Sequence, residues 1–230
     1  MGEAHPLLGY FLDAAEGRFP PVDGGVTVLP PLGGGLEGSV AFTGHAVVAT
    51  ARSAAEVKAQ GPDGFGESMG PDFLRYLAGP GGWIGCLDAT LVARGRGGPA
   101  QLGPLDGTDG HPRVQHAREV RTDVGVYGDG RGLVTLAQGL AGRRELSIEL
   151  HRPDDPGPGR GRSLIADALT LVPDGEPVFA AVSPGNARSL RAFLACGFTP
   201  IGSEVLLRPH RPDPTRLDPR SGRIGGRHGQ

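Results

Sequence analysis

The feature that most constrains this fold is a strand that runs into a glycine-rich turn and is followed at once by a helix. Residues 144–151 alternate, with apolar side chains on one face and polar side chains on the other. The turn at residues 156–163 reads Pro-Gly-Pro-Gly-Arg-Gly-Arg-Ser, and an apolar helical stripe begins at Leu164. Glycines allow an anion to approach the backbone, and the N–H groups of a first helical turn point at it. The sequence therefore predicts an anion site.

The composition limits which classes of protein fit. The chain has 230 residues, enough for one sizeable core, and its 41 Gly and 22 Pro favour irregular segments. The formal net charge of -2 gives no reason to expect nucleic acid or an acidic membrane as a partner. Cys86 and Cys196 lie far apart, and the histidines show no ligand spacing. We therefore expect neither a disulfide framework nor a metal site.

The N-terminal residues predict no targeting segment. They have no basic region followed by an uninterrupted apolar stretch, which a signal peptide needs. No apolar run approaches the roughly 20 residues that span a bilayer. We expect a cytoplasmic protein, and the sequence leaves its oligomeric state open.

The order of the predicted elements indicates a mixed sheet. Residues 115–127 alternate partly, which predicts a strand in a hairpin with residues 132–138 around Gly128-Asp129-Gly130. The apolar run at residues 178–182 predicts a strand covered on both faces and joined to residues 144–151 by a right-handed crossover. The expected fold is α/β (α+β), with a mostly antiparallel central sheet, a parallel strand pair and flanking helices.

A second motif follows residues 178–182 and opens another helix. It reads Asn186-Ala-Arg-Ser189-Leu-Arg-Ala-Phe193-Leu-Ala-Cys-Gly197-Phe198. It is similar to the Asn-x-x-Ser-x-x-x-Tyr-x-x-x-Gly-Phe helix of GNAT-superfamily N-acetyltransferases. The glycine turn resembles the phosphate signature of the same family, a Gln or Arg followed by x-x-Gly-x-Gly/Ala. The two motifs cover roughly residues 144–208, and the resemblance implies a GNAT-like fold that uses acetyl-CoA (coenzyme A).

The division of the chain follows from composition together with the resemblance. Residues 1–40 are expected to be a Gly/Pro-rich arm with a short helix, with an added strand at residues 26–29 as the alternative, and residues 209–230, which lack periodicity, a disordered tail. The resemblance implies that residues 41–208 are the acetyl-CoA-binding domain, and it also implies a reaction. The acetyl group would go to an amine acceptor, either a small molecule or a protein, by direct attack. A coenzyme-A-binding regulatory module without turnover is the alternative. A protein-interaction scaffold built on the Gly/Pro segments is a third hypothesis.

Each cofactor contact is carried over from the family's motifs. Backbone N–H groups of the turn would hold the pyrophosphate, with two arginine side chains adding charge, and the main chain of the preceding strand would pair with the pantetheine arm. Asparagine at the start of the second helix would hydrogen-bond the cofactor, with a serine nearby. The residues implied are Leu150, His151, Gly159, Arg160, Gly161, Arg162, Ser163, Asn186 and Ser189.

Two residues depart from the family's pattern, and one carboxylate is the candidate base. Pro156 stands where Gln or Arg is usual, and Phe193 replaces the tyrosine that often protonates the leaving thiolate. We expect water to supply that proton, since a thiol has a pKa of roughly 8.5. Glu149 lies on the polar face of the central strand and is the candidate general base, with Glu145 and His151 as competitors.

Overall fold

A computed structural model describes residues 4–151 and 159–211. In these two ranges the chain forms an eleven-stranded sheet with helices on both faces. The strands are Val26–Leu29 (β1), Glu37–Phe42 (β2), His45–Ala49 (β3), Trp83–Ile84 (β4), Asp88–Arg94 (β5), Gly103–Pro104 (β6), Thr122–Asp129 (β7), Gly132–Gln138 (β8), Arg144–Leu150 (β9), Pro177–Val182 (β10) and Thr199–Arg208 (β11). The helices are Leu7–Ala15 (α1), Ala54–Lys58 (α2), Pro71–Ala78 (α3), Pro112–Val120 (α4), Arg160–Ala168 (α5) and Ala187–Ala195 (α6).

The sheet confirms the predicted fold class. Its strand order is β1-β3-β2-β11-β5-β10-β9-β8-β7-β6, with β4 paired to β11. Most neighbours are antiparallel, and β9 and β10 form the predicted parallel pair through helix α5. A second parallel pair, β1 with β3, lies near the far edge of the sheet.

Two apolar layers cover opposite faces of this sheet. On one face α5 and α6 pack against β9 and β10, and Leu146, Leu164 and Phe193 share one buried cluster. On the other face α1 contributes Phe11 to a cluster with Val92 and Phe179. Because side chains alternate along a strand, the polar residues of β9 face the α1 side of the sheet.

Strand β5 lies between β10 and β11, although it comes from the N-terminal half of the chain. It pairs antiparallel with both, in the registers Val182↔Ala89 and Ser203↔Ala89. The part of the sheet that carries the two sequence motifs therefore includes a strand, β5, that lies outside both motifs.

The structure corrects the predicted boundary at residue 40. Strand β2 crosses that position and pairs with β11 and β3, and β1 extends the same sheet. Leu7 and Phe11 of α1 are fully buried. Because these side chains fill the core beneath the sheet, residues 4–40 are part of the domain rather than an arm.

The strand predicted at residues 115–127 is wrong in its first half, where the structure has helix α4. His111 caps this helix by accepting a hydrogen bond from the N–H of Arg113 at 3.2 Å, and Pro112 occupies the first turn. Val114 and Ala117, three residues apart, are its buried side chains. Because residues 115–127 also alternate partly between apolar and polar side chains, the sequence did not reveal this helical spacing. The predicted hairpin is confirmed in β7 and β8.

The end of the described chain is attached to the domain. Arg211 donates hydrogen bonds of 2.8 and 2.7 Å to the carboxylate of Glu37, and His210 N–H donates to the carbonyl of Ala78. The rest of the tail predicted at residues 209–230 lies outside the described residues. Within the described ranges, no helix has the length and apolar character needed to cross a bilayer.

Candidate functional site

The parallel strands β9 and β10 separate soon after they meet. Their ladder in the described residues consists of the pair Phe179↔Glu145, and neither strand continues the pairing toward its carboxyl end. Strand β10 keeps its full ladder with β5 on its other side, through Val182. A fork therefore opens between the ends of β9 and β10.

Main-chain groups of β9 point into this fork. The N–H of His151 donates to the carbonyl of Arg131 at 3.2 Å, on the β8 side. Because alternate residues of an antiparallel pair direct their main-chain groups to opposite sides, Ile148 and Leu150 direct theirs toward β10. The main-chain role predicted for His151 is thus corrected, since its N–H has a partner on β8. Ile148, which the sequence reading did not name, takes its place beside Leu150.

The amino end of α5 lies next to the fork. Gly159 adopts a left-handed conformation (φ 91°, ψ -1°), which glycine tolerates and side chains disfavour, and the helix begins at Arg160 without a side-chain cap. A Cβ on Gly161 would lie 3.9 Å from Ala192 Cβ and 4.0 Å from Leu150 Cδ1. Gly161 therefore sits where α5, α6 and β9 come closest together. Pro156 and Gly157 lie outside the described residues.

An open cleft of about 1300 Å³ joins the fork to the ends of α5 and α6. All of the predicted site residues except Ser163 line it. The Ser163 hydroxyl instead donates to the carbonyl of Arg160 at 2.9 Å, within the helix. The structure thus brings together residues that are up to 40 positions apart in sequence, from Glu149 to Ser189.

The walls of the cleft are rich in arginine. Its lining includes Arg160, Arg162, Arg188 and Arg191 from α5 and α6. Among the described lining residues the acidic side chain is Glu149. The sequence reading missed Arg188 and Arg191, although their spacing of three residues places them on one side of α6. The electrostatics of these walls favour an anionic ligand.

The second motif contributes one cap and one packing residue. Asn186 accepts a hydrogen bond from the N–H of Ser189 at 3.1 Å, and both residues line the cleft. Phe193 is buried and meets the ring of Phe198 edge-on, with centroids 4.9 Å apart. Phe193 therefore packs in the core, in keeping with its lack of a hydroxyl.

Glu149 lies at the rim of the cleft and is held by a cation. Its Oε2 accepts a hydrogen bond from Nε of Arg113 at 3.1 Å, and the ring of His111 is 3.8 Å from Oε1. Arg113 could not be recognised from the sequence, because it precedes the strand predicted at residues 115–127 and the helix that carries it was not predicted. Arg113 therefore occupies one of the two carboxylate oxygens of Glu149.

Glu145 belongs to a buried ionic network and not to the cleft. Arg143 is fully buried and contacts Glu145 at 3.0 Å and Glu204 at 2.7 Å, while Arg121 contacts Glu145 at 2.6 Å. Burial raises the pKa of Glu145, but Arg121 and Arg143 outweigh it and hold that pKa below its usual range. A carboxylate with two cationic partners and no access to the cleft does not serve as a general base.

Comparisons with known proteins give a weak structural likeness. No protein-family model matches the chain, and no curated protein is significantly similar to it in sequence. Among solved structures, it is similar to a crystal structure from Novosphingobium aromaticivorans of a protein assigned to the GNAT acetyltransferase family. The two chains are 18% identical over 57% of this chain and 69% of the other, with a TM-score of 0.37. Similarity at this level establishes neither a family nor an activity.

Proposed function

We propose that this protein is an acetyl-CoA-dependent N-acetyltransferase of the GNAT type, acting on an amine acceptor. The observation that carries the proposal is the position of the fork between β9 and β10, directly beside the uncapped amino end of α5. One cleft thereby offers a helix end and arginines for phosphate groups and strand edges for a peptide-like arm.

The cleft residues fit the parts of coenzyme A. The N–H groups from Gly159 to Arg162 would bind the pyrophosphate, because the first turn of a helix has no internal partners for them. Arg162 and Arg191 would add charge-assisted hydrogen bonds to the phosphate oxygens. The main chain of Ile148 and Leu150 would pair with the amides of the pantetheine arm in the way that a neighbouring strand does.

When bound, acetyl-CoA supplies an acetyl group that is activated as a thioester. The chain holds that group in the fork, where an N–H of Ile148 or Leu150 would stabilise the negative charge that develops on the carbonyl oxygen. The amine attacks directly, so no nucleophilic Ser or Cys is required. Phe193 offers no proton, so water would protonate the departing thiolate.

A module that binds coenzyme A without turnover is the second candidate. Two observations favour it: Phe193 stands in the core where the family often has a tyrosine, and Glu149 is engaged by Arg113. This candidate uses the same cleft and the same cofactor contacts. The two proposals therefore differ in the chemical step alone.

One paired experiment tests both proposals. Acetyl-CoA is titrated against the full chain while its melting temperature is followed, and thiol release from acetyl-CoA is measured with a panel of amines. Stabilisation with amine-dependent thiol release supports the enzyme, and stabilisation without release supports the binding module. If millimolar acetyl-CoA does not raise the melting temperature, neither proposal stands.

A further inference from the structure

A row of polar side chains crosses the open end of the sheet on the α1 face, opposite α5 and α6. Ala89 packs with the cluster beneath α5 and α6, so its neighbour Asp88 points to the α1 face. Glu204 is directly opposite Asp88 in the ladder between β11 and β5. Continuing the register Val182↔Ala89 by one residue places Ser183, at the end of β10, beside Asp88.

Asp88 therefore lies across β10 from the fork. Neighbouring strands are about 4.8 Å apart, so the fork begins one strand away from Asp88. A carboxylate at that distance reaches a proton in the fork directly or through one water. The arginine-rich wall of the cleft comes from α5 and α6, and Glu149, which faces the α1 side, lies at its rim. An acceptor would therefore approach the thioester from the α1 face.

Among the described residues Asp88 has no ion-pair partner, and Arg121 acts on its carboxylate only at longer range. In residues 4–151 and 159–211, no Arg, Lys or His forms an ion pair with Asp88, whereas Glu204 is held by Arg143 at 2.7 Å. The side chain of Asp88 is half-buried. Burial, together with the charge of Glu204, raises the pKa of Asp88 from 3.8 to about 6.

We infer that Asp88 binds the ammonium group of the acceptor and takes its proton before attack. This inference rests on the proposed acetyl transfer and names both the base and the acceptor class, a protonated aliphatic amine. The geometry favours Asp88 over Glu149, because Arg113 donates a hydrogen bond to Glu149, whereas Asp88 forms no ion pair with the described residues.

The proton balance is complete without another reactant. The ammonium N–H bond breaks, its proton moves to Asp88, and the freed electron pair forms the bond to the acetyl carbon. The carbon–sulfur bond breaks as the amide forms, and the thiolate takes a proton from water. The amide nitrogen and Asp88 then return their protons to the solvent, and the carboxylate is restored.

The test compares Asp88→Asn with Glu149→Gln in thiol release and acetyl-CoA binding. Asn conserves the shape of Asp but cannot accept the proton, and Asp72→Asn on α3 is the control for loss of an exposed carboxylate. We expect Asp88→Asn to lower kcat/KM for an aliphatic amine by about a hundredfold or more, with the acetyl-CoA melting shift unchanged. We expect Glu149→Gln to lower it by less than tenfold.

The pH profile separates a base from a structural residue. Wild-type kcat/KM should rise with pH through an apparent pKa near 6, and this limb should be missing in Asp88→Asn. A hydroxylamine acceptor, already neutral at the assay pH, should lose little activity in the variant. The titratable and charged groups that face Asp88 are Cys86, Glu204, Glu145 and Arg121, with Arg143 behind Glu204.

The outcomes distinguish this inference from the proposed function. If the wild type turns over amines and Asp88→Asn keeps its rate and its pH limb, Asp88 is not the base and acetyl transfer stands. If Asp88→Asn loses aliphatic amines and hydroxylamine equally, its role is structural and the inference fails. If the wild type neither binds acetyl-CoA nor releases thiol, the proposed function fails and takes the inference with it.

Discussion

Glu204 and Asp88 are paired directly across the ladder between β11 and β5. Arg143 forms an ion pair with Glu204 and does not form one with Asp88. Arg143 donates to both carboxylate oxygens of Glu204 at 2.7 Å, and Thr90 adds a hydrogen bond at 2.6 Å. Within residues 4–151 and 159–211, Asp88 forms no ion pair with an Arg, Lys or His side chain. The two adjacent carboxylates therefore differ: Glu204 is paired with Arg143, whereas burial, together with the charge of Glu204, raises the pKa of Asp88.

Asp88→Asn should stabilise the protein at neutral pH. The pKa of Asp88 is about 6 in the folded protein against an ordinary 3.8, so ionisation lowers the free energy of unfolding as the pH rises through this window. Two pKa units correspond to about 3 kcal/mol, and exposure to solvent reduces the expected gain to about 1 kcal/mol. Urea unfolding at about pH 7.5 and about pH 3.5 should show this gain in the free energy of unfolding at the higher pH alone. Equal stability of the two proteins at both pH values would contradict the assignment.

Arg143→Leu should destabilise the fold strongly. Its side chain is fully buried, stacks over the ring of Phe11 at 4.4 Å, and contacts the carboxylates of Glu145 and Glu204. Removing one partner from a buried ion pair costs about 3–5 kcal/mol, because the remaining charge has lost its compensation. Urea unfolding should report this loss.

The control for Arg143 is Arg118→Leu, which removes an ion pair with the largely exposed Asp109. Exposed pairs contribute about 0–1 kcal/mol, so this change should be small. If the two variants unfolded at the same urea concentration, the buried network would not be what stabilises this part of the sheet.

Gly161→Glu should abolish acetyl-CoA binding. Its side chain would enter the cleft between α5, α6 and β9 and place a negative charge beside the predicted pyrophosphate site. Gly161→Ala is the matched control, because its Cβ would meet its nearest neighbours at 3.9 and 4.0 Å, which is ordinary contact. The measurement is the acetyl-CoA melting shift. A folded Gly161→Glu protein that retained the full shift would show that the pyrophosphate binds elsewhere.

Arg191→Glu should weaken acetyl-CoA binding and make the binding affinity less dependent on salt concentration. Arg191 is an exposed residue of α6 that lines the cleft, and a charge-assisted hydrogen bond contributes about 1.5–3 kcal/mol, or roughly tenfold or more in affinity. Isothermal titration at low and high salt should show the larger loss at low salt, because salt screens exposed charges. Arg118→Glu, the same charge change away from the cleft, should bind normally.

Much of the candidate site was predictable because its signals are local. The alternation of β9, the glycines before α5 and the Asn186 cap each depend on residues within a few positions of one another. The parallel crossover then follows from the handedness rule. The cofactor contacts themselves stay predictions until binding is measured.

The missed elements involve competing local patterns or distant partners. Helix α4 was read as a strand, because the spacing of Val114 and Ala117 is short and the alternation of β7 follows at once. Arg113 was lost with it. The burial of Phe11 in α1 could not be seen, because its partner Phe179 is 168 positions away, with ring centroids 5.7 Å apart.

The sequence by itself determined the strands and helices around the glycine turn, because backbone preference and apolar periodicity act within one element. Tertiary structure alone decided that β5 enters between β10 and β11 and places Asp88 one strand away from the fork. It also decided that Arg143 neutralises Glu204 and not Asp88. The protonation of a carboxylate depends on burial and on charges within a few ångströms. For Asp88 of β5, those charges are Glu204 of β11, Glu145 of β9 and Arg121, which precedes β7.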